Sequence, residues 1–315
     1  MRILIEIPTW IGDMVMASPS IEEICENYKS AEIYSLSYDN SQNIFLNHPC
    51  FKEHLSINKN YLNLIIGLRH INRFDFYISY RNSLRSRIIA CLLGCKNSYF
   101  FNSKKYQNMH QVEKYLEFIG SILGSVSKIA NLKIYKNSKV KIDRYRNMIG
   151  INPGAAYGES KCWLPSHYVA LIEKISSRNH VVLFGPKNDR GLSVKIEKEL
   201  RLKNIKNYTN LSGKTNIQEL IEIISNLRLF ITGDSGPMHI AATFKIPTIA
   251  IFGSTKIEET SQWKNPKSVI LNRNLPCQPC MKRKCPVEHH NCMRLIHPSD
   301  VFRAVEKLLR EIEVN

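Results

Sequence analysis

Short apolar runs alternate with amphipathic stretches along the chain, and the first half contains one such series. Strand-like runs occur at MRILIEI, AEIYSLSY and FDFYISY. Apolar residues with helical spacing follow Asp13 as far as Tyr28, and recur in SQNIFLNH, YLNLIIGLRHINR, NSLRSRIIACLLG and HQVEKYLEFIGSILG. Asn82 or Ser83 is the expected cap of the helix in NSLRSRIIACLLG. Strands that alternate with helices of this length predict βαβ units around a parallel sheet.

A second series of similar size follows the polar, basic stretch YKNSKVKIDRYRN. It runs through MIGINPG, LPSHYVALIEKISS, HVVLFGP, DRGLSVKIEKELR, NIQELIEIISNL, RLFITGDSG, MHIAATFK and IPTIAIFG. It ends with the amphipathic SDVFRAVEKLLREIE, for which Ser299 or Asp300 is the expected cap. We therefore predict two Rossmann-like, doubly wound α/β domains, at 1–142 and 143–315, that face each other across a central cleft. The terminal helix is a candidate to pack back on the first domain.

Composition adds a class of partner to this picture. The 315 residues are 43% hydrophobic, which is ample for two packed cores. No apolar run approaches the ~20 residues of a membrane span and no cleavable signal pattern is present, so we expect a cytoplasmic protein. The formal net charge of +17 points to nucleic acid, an acidic membrane surface or a phosphorylated substrate. A Lys-rich composition without any such partner remains an alternative.

The first strand leads directly into PTWIGDMVMASPS, which places Asp13 at the start of a helix. In an open α/β sheet this is the carboxyl edge, where ligands bind. Asp is also a preferred helix N-cap, so the residues alone leave a structural and a chemical role for Asp13 open.

Two further strand ends carry turns suited to an anion. In ITGDSGPMHIAA, Asp234 and His239 flank a Gly-Pro helix start, where backbone N–H groups and the helix dipole favour negative charge. In NPGAAYGESKCW, glycines allow close backbone approach and Lys161 supplies a point charge. A third turn, LFGPKND, places Gly185 at the expected rim of a nucleotide pocket. None of these is a Walker A or a GxGxxG motif, and a capped, buried helix is the alternative for the Gly-Pro turn.

Nine cysteines in a cytosolic chain are expected to stay reduced. Four of them, Cys277, Cys280, Cys285 and Cys292, cluster with His289 and His290 in CQPCMKRKCPVEHHNC. This spacing is compatible with a structural zinc site, or with reduced thiols that pack a loop beside the nucleotide pocket, with the Lys282–Lys284 run facing anionic lipid.

The motifs IPTWIGDMVMASPS, NPGAAYGESKCW and GDSGPMHIAA, in this order, resemble glycosyltransferase family 9, the ADP-heptose lipopolysaccharide heptosyltransferases. Trp10 before Gly-Asp is closest to the branch of that family that adds the second inner-core heptose. The resemblance implies a GT-B fold, ADP-heptose as donor bound by the C-terminal domain, and a lipid A–Kdo–heptose acceptor on the N-terminal domain. It implies inverting transfer without an obligatory metal or cofactor, at the inner face of the inner membrane, in peripheral contact with its anionic surface.

The resemblance also assigns roles to residues. Asp13 matches the catalytic base, which takes the proton from the attacking hydroxyl. The residues it assigns to the donor are Gly154, Ala155, Ala156, Lys161, Asp234, Ser235, Gly236 and His239. On the acceptor side, YRNSLRSR resembles an Asn-Ser-x-x-Ser segment of the family that contains Asn82 and Ser83. Arg81, Arg85 and Arg87 are candidates to bind Kdo and phosphate groups, with a solvated basic helix face as the alternative. His110 lies in a similar segment, and a structural role is favoured for it.

Other functions stay open at this point. Within the same family, the sequence does not distinguish transfer to another core position or use of another ADP-sugar. A basic nucleic-acid-binding protein would explain the charge, but no recognition helix or aromatic strand motif is present, so no nucleic acid is expected. A nicotinamide-dependent oxidoreductase would use the same architecture, but its glycine fingerprint is absent.

Overall fold

A computed structural model describes residues 1–39, 43–57, 73–125, 131–185 and 191–314. The chain divides into two compact units, Met1–Tyr135 and Lys136–Asn315. The division falls shortly before the predicted boundary at 142/143, within the polar, basic stretch. Each unit is an α/β layer structure around one parallel sheet.

The sheet of the first unit has the strand order β3-β2-β1-β4-β5, and all neighbouring strands are parallel. Its elements are β1 (Arg2–Glu6), α1 (Ile11–Asn27), β2 (Glu32–Ser37), β3 (Phe51–Ser56), β4 (Phe76–Ser79), α2 (Leu84–Leu92), β5 (Asn97–Phe100) and α3 (Gln111–Leu123). The predicted helix in SQNIFLNH is wrong, since residues 44–47 form turns. The helix predicted in YLNLIIGLRHINR lies, except for its last residue, outside the described residues.

The sheet of the second unit has the order β11-β10-β9-β6-β7-β8, again with parallel neighbours. Its strands are β6 (Ile149–Asn152), β7 (Val181–Leu183), β8 (Tyr208–Asn210), β9 (Leu229–Gly233), β10 (Thr248–Ile251) and β11 (Ser268–Leu271). Its helices are α4 (Pro165–Ile175), α5 (Leu192–Leu202), α6 (Ile217–Ile224), α7 (Gly236–Thr243), α8 (Ile257–Thr260), α9 (Asn291–Arg294) and α10 (Pro298–Val314). The predicted α/β fold class is thus confirmed in both halves.

Both sheets reverse their strand order beside their first strand. The order 3-2-1-4-5 of the first sheet is repeated in the second, where β6 takes the place of strand 1 and β9 that of strand 4. The reversal therefore lies between β1 and β4, and between β6 and β9. In doubly wound sheets, ligands bind in the crevice at the carboxyl ends of the strands at this position. The turns after these four strands are the places where a site is expected.

The C-terminal helix belongs to the core of the second unit. Val301, Val305 and Leu308 on α10 are buried in the same cluster as the inner residues of α4 and of the sheet. The helix begins at Pro298, so Ser299 and Asp300 lie inside it and neither is the cap. The Asp300 carboxylate instead accepts a hydrogen bond from the His297 N–H at 3.0 Å.

The expectation that all cysteines are reduced is wrong for one pair. Cys25, near the end of α1, and Cys50, just before β3, form a disulfide with their Cα atoms 6.0 Å apart. They lie 25 residues apart in the chain, and the fold brings the end of α1 and the residue before β3 within bonding distance. In the part of the chain that the structure describes, none of the helices has the length and apolar character needed to span a bilayer.

Candidate active site

An ion pair marks the switch point of the second sheet. Lys161 Nζ lies 2.6 Å from Asp234 Oδ2, and both side chains are largely buried. Thr255 and Thr260 also donate hydrogen bonds to Asp234 Oδ2, at 2.7 Å and 3.3 Å. The carboxylate thus has three partners that fix its position, and its charge holds the Lys161 ammonium at the carboxyl edge of the sheet.

The turn after β9 is braced from the neighbouring strand. Asn152, at the end of β6, donates hydrogen bonds to the Gly154 carbonyl (2.9 Å) and to the Ser235 hydroxyl (3.3 Å). The Ser235 and Thr232 hydroxyls are 2.9 Å apart. Helix α7 begins at Gly236 rather than at Pro237, which is the second helical residue. The two switch-point turns therefore form one connected network at a helix N-terminus, an arrangement that favours a bound anion.

Residues 154–161 form a loop that is clamped from its outer side. Gly154 is buried, Ala155 is half-buried and Ala156 is exposed. Ser160 donates hydrogen bonds through its N–H to the Arg283 carbonyl at 3.1 Å and through its hydroxyl to the Lys282 carbonyl at 2.5 Å. Gly158 has a φ of 154°, and a Cβ there would lie 2.5 Å from the Arg283 carbonyl oxygen, so only glycine fits. The segment that contains the cysteine cluster therefore helps to hold the Lys161 loop.

Two other predicted donor residues are tightly packed or buried. Gly185 follows β7, and a Cβ at this position would lie 2.9 Å from the Ser212 hydroxyl, which explains the glycine by packing. His239 is buried on α7. The structure thus brings together Lys161, Asp234, Ser235, Gly236 and the start of the 154–161 loop, while His239 offers little surface to a ligand.

In the first unit, Asp13 lies in the first turn of α1 but does not cap it. The N-cap is Trp10, an exposed aromatic, and no side chain hydrogen bond is made from that position. The Tyr115 hydroxyl of α3 donates a hydrogen bond to Asp13 Oδ1 at 3.4 Å. Burial, followed by the Asp13 charge, raises the pKa of Tyr115 well above its usual value, so this hydroxyl stays a donor at neutral pH. The N-cap alternative for Asp13 is therefore wrong.

His110 has the structural role that the sequence favours. It is the N-cap of α3, where its Nδ1 accepts a hydrogen bond from the Val112 N–H at 3.2 Å. Its own N–H donates to Glu113 at 2.9 Å, which completes a capping box.

Glu6, the last residue of β1, is a buried carboxylate. Glu6 accepts hydrogen bonds from the Tyr77 hydroxyl at 2.8 Å and from the Ser79 hydroxyl at 2.5 Å. The guanidinium of Arg81 lies 3.9 Å from Glu6, and the Arg81 N–H donates to Ser79. Sequence reasoning missed Glu6, although a charged residue at the end of an otherwise apolar strand is a signal that could have found it.

The predicted acceptor segment is divided by the structure. Ser83 is the N-cap of α2 and accepts a hydrogen bond from the Ser86 N–H, so its side chain has a structural role. Asn82 accepts a hydrogen bond from Arg87 at 2.9 Å. The guanidinium of Arg85 lies over the Tyr38 ring, 4.9 Å from its centroid. Asn82 and Ser83 follow β4 at the carboxyl edge of the sheet, and Arg85 lies in the first turn of α2.

The four clustered cysteines are free thiols that surround one small cavity. The cavity has a volume of about 10 Å³, room for a single atom. Its lining includes Cys277, Cys280, Cys285 and Cys292 together with His289 and His290. Burial, and then the neighbouring cysteines, raises the pKa of Cys292 to about 11, which favours its neutral thiol.

Among the described residues, a group of side chains with the spacing of metal ligands lies outside the cysteine cluster. The ligand atoms of Cys25, His48 and Cys50 lie within 4.8 Å of one another, whereas the clustered cysteines are not grouped at that spacing. Two of these three residues are joined in the disulfide, and His48 Nε2 pairs with Glu22 at 2.9 Å. This donor set therefore does not fit a bound ion.

Comparison with known proteins agrees with this geometry. The model of glycosyltransferase family 9 (heptosyltransferase) matches residues 67–291. The lipooligosaccharide heptosyltransferase 2 of Campylobacter jejuni is 35% identical, over 98% of this chain and 99% of its own length. The structure of E. coli ADP-heptose lipopolysaccharide heptosyltransferase II superimposes with a TM-score of 0.82 at 21% identity, covering 99% of this chain and 100% of that one. The E. coli heptosyltransferase WaaC with ADP-2-deoxy-2-fluoro heptose superimposes with a TM-score of 0.68 at 13% identity, over 98% and 99%. These likenesses confirm the predicted GT-B fold.

Proposed function

Because the chain belongs to glycosyltransferase family 9, the heptosyltransferases, we propose that it transfers heptose from ADP-L-glycero-D-manno-heptose to the first heptose of the lipopolysaccharide or lipooligosaccharide inner core, with inversion at the anomeric carbon. The similarity to heptosyltransferase 2 over nearly the whole of both chains supports this acceptor position. Family membership favours this function over binding of nucleic acid and over nicotinamide-dependent oxidation.

The observation that carries the mechanism is the position of Asp13. It lies at the switch point of the first sheet, is not a cap, and accepts a hydrogen bond from a tyrosine that stays protonated. We assign it the role of general base. Asp13 takes the proton of the acceptor hydroxyl while that oxygen forms its bond to the anomeric carbon, and the bond from this carbon to the β-phosphate oxygen breaks. The proton ends on Asp13 and the electron pair leaves with ADP.

On the donor side, we propose that Lys161 and the N-terminus of α7 stabilise the negative charge of the leaving group. A cation and backbone N–H groups aimed at the phosphate stabilise the negative charge that develops there. Asp234 is itself an anion, so we place it against sugar hydroxyls and give it the task of orienting Lys161 through their ion pair. The likeness to a structure with an ADP-heptose analogue supports a donor of this class. No metal ion or cofactor takes part in the proposed reaction, and an ion at the cysteine cluster would serve only to hold its segment.

The acceptor is proposed to lie on the first unit, at 1–142 in the predicted division, with the nucleotide on the second. Arg81 and Arg85 lie at the carboxyl edge of the first sheet and would meet the anionic Kdo and phosphate groups, beside Asn82. An acceptor anchored in lipid implies work at the cytoplasmic face of the inner membrane, and the net charge of +17 supports peripheral contact with that anionic surface.

Mass analysis of the reaction product tests the proposal. The purified protein is incubated with ADP-heptose and either a core that has one heptose or a core that has none. We expect the mass of one heptose to be added to the first core only, with the new linkage of inverted configuration by NMR. Transfer to the heptose-free core, or only from another sugar nucleotide, would contradict the proposed acceptor or donor.

A further inference from the structure

Helix α2 of the first unit presents a stripe of large aliphatic side chains to solvent. Leu84, Ile88 and Leu92 are 75%, 42% and 50% exposed. They are spaced four residues apart, so they lie on one face of the helix. Ser86, Ile89 and Ala90 are buried on the inner side. Single exposed apolar residues are ordinary on protein surfaces, but a contiguous stripe marks a contact surface.

The stripe lies in a stretch of chain without acidic residues. From 76 to 112 there is no Asp or Glu, whereas the basic residues are Arg81, Arg85, Arg87, Lys96, Lys104 and Lys105. Most of these lie at the carboxyl edge of the sheet, at the start of α2 and just after β5. Helix α2 and the end of β5 are in contact, because the Arg87 guanidinium lies 4.8 Å from the centroid of the Phe100 ring. Lys104 and Lys105 are both exposed.

Aliphatic side chains within a basic surface fit one kind of partner. In a bilayer with anionic headgroups, the aliphatic side chains can enter the apolar layer while the lysines and arginines bind the negatively charged headgroups. Proteins that bind single-stranded nucleic acid stack its bases on aromatic side chains, whereas the exposed apolar residues of α2 are all aliphatic. We propose that α2 docks the first unit on an anionic phospholipid surface, with Leu84, Ile88 and Leu92 entering the headgroup layer. This deepens the membrane contact proposed above, since it names the surface that makes it.

Sedimentation with vesicles tests the docking surface. The full-length protein is mixed with vesicles of phosphatidylethanolamine and phosphatidylglycerol, and with vesicles of phosphatidylcholine alone. We expect binding to the first that falls steeply between low and physiological salt, and little binding to the second. Exchange of Leu84, Ile88 and Leu92 for Ser should lower the partition coefficient about ten-fold or more. The matched control is Val194→Ser with Leu202→Ser on α5, which removes equally exposed aliphatics (54% and 78%) and should change nothing.

A second pair of variants tests the charge. Lys104→Gln with Lys105→Gln should weaken binding about ten-fold at low salt and make it less sensitive to salt. Lys195→Gln with Lys198→Gln, on exposed positions of α5, should leave binding unchanged. Equal vesicle binding by the triple Ser variant and the wild type would overturn the proposal. Absence of vesicle binding by the wild type would also overturn it. So would analytical ultracentrifugation that shows a wild-type dimer and a monomeric triple Ser variant, with no loss of vesicle binding.

Transfer to a soluble acceptor separates this inference from the enzymatic function. With a delipidated core oligosaccharide, the triple Ser variant should have the turnover of the wild type, because none of its three residues is assigned to the donor or to the acceptor. Vesicle binding without transfer by the wild type would refute the heptosyltransferase function and leave the docking surface standing. Transfer without any vesicle binding would refute the docking surface and leave the heptosyltransferase function standing.

Discussion

Lys161 and Asp234 are separated by 73 residues in the chain, and their charged atoms lie 2.6 Å apart at the point where β6 and β9 end side by side. The pair is largely buried, and two threonines hold the carboxylate in place. A cation prepared in this way needs little reorganisation when a phosphate arrives. The same pairing means that either partner, once removed, leaves the other as a buried charge without its counter-ion.

Exchange of Lys161 for Ala should weaken donor binding and slow transfer, since the ammonium would contact phosphate in the ground state and in the transition state. We expect the KM for ADP-heptose to rise and kcat to fall, each by about ten-fold or more. Lys195→Ala, on an exposed position of α5, is the control. Unchanged KM together with full kcat would remove Lys161 from the site.

Asp13→Asn should abolish most turnover and leave ADP affinity nearly intact. The amide keeps the shape of the side chain but cannot accept a proton, and loss of a general base typically costs about 10²–10⁴-fold in rate. Single-turnover transfer and calorimetric titration with ADP measure the two quantities. Asp75→Asn, at the amino end of β4 in the same sheet, should retain turnover. An Asp13→Asn enzyme with normal transfer would show that the base is another group.

Tyr115→Phe should lower kcat by about two- to ten-fold with an unchanged KM for the donor, because the hydroxyl holds Asp13 and lies on the unit proposed to bind the acceptor. Tyr106→Phe, in the same aromatic cluster stacked on Phe101, is the matched control and should behave as the wild type. A donor KM that rises as kcat falls would point to a folding defect rather than to positioning.

Glu22 makes the stability of the first unit depend on pH in the acidic range. Burial alone would raise its pKa, but His48 and Lys133 beside it outweigh burial and lower the pKa to about 2. The stabilisation is therefore complete above the unfolded carboxyl pKa of about 4.5 and is lost as the pH falls toward 2. Glu22→Gln should cost about 1–2 kcal/mol in unfolding free energy at pH 7, since partial solvent access screens the pair. That difference should vanish near pH 2, and exposed Glu26→Gln should show none.

The cysteine cluster should be found as reduced thiols. We expect metal-free protein with full transfer activity, and Cys277, Cys280, Cys285 and Cys292 reacting with a thiol reagent after denaturation. Elemental analysis that finds about one zinc per chain, lost in Cys280→Ser, would contradict this expectation. In that case chelation should also raise the donor KM, because Lys282 and Arg283 pack directly on Ser160 in the Lys161 loop.

The sequence by itself determined the fold class and the turns where chemistry is placed. Strands such as β6 and β9 are buried on both faces and read as continuous apolar runs. The four strands that the pattern missed, β3, β5, β8 and β11, are the four edges of the two sheets. Edge strands are half exposed, so their residues give neither an unbroken apolar run nor a clean alternation.

Only the tertiary structure decided which groups meet. Strand order brings β6 beside β9, and with them Lys161 to Asp234. The packing of α1 on α3 brings Tyr115 to Asp13 across 102 residues of chain. Tertiary packing also closed the disulfide between Cys25 and Cys50, which the sequence treats as separate. The caps Ser83 and His110 are local by contrast, since each accepts a hydrogen bond from an N–H two or three residues later in the chain, and the sequence predicted the cap at Asn82 or Ser83. Periodicity reports the environment of a residue along its own element, whereas partners on different elements are fixed by the order and register in which those elements pack.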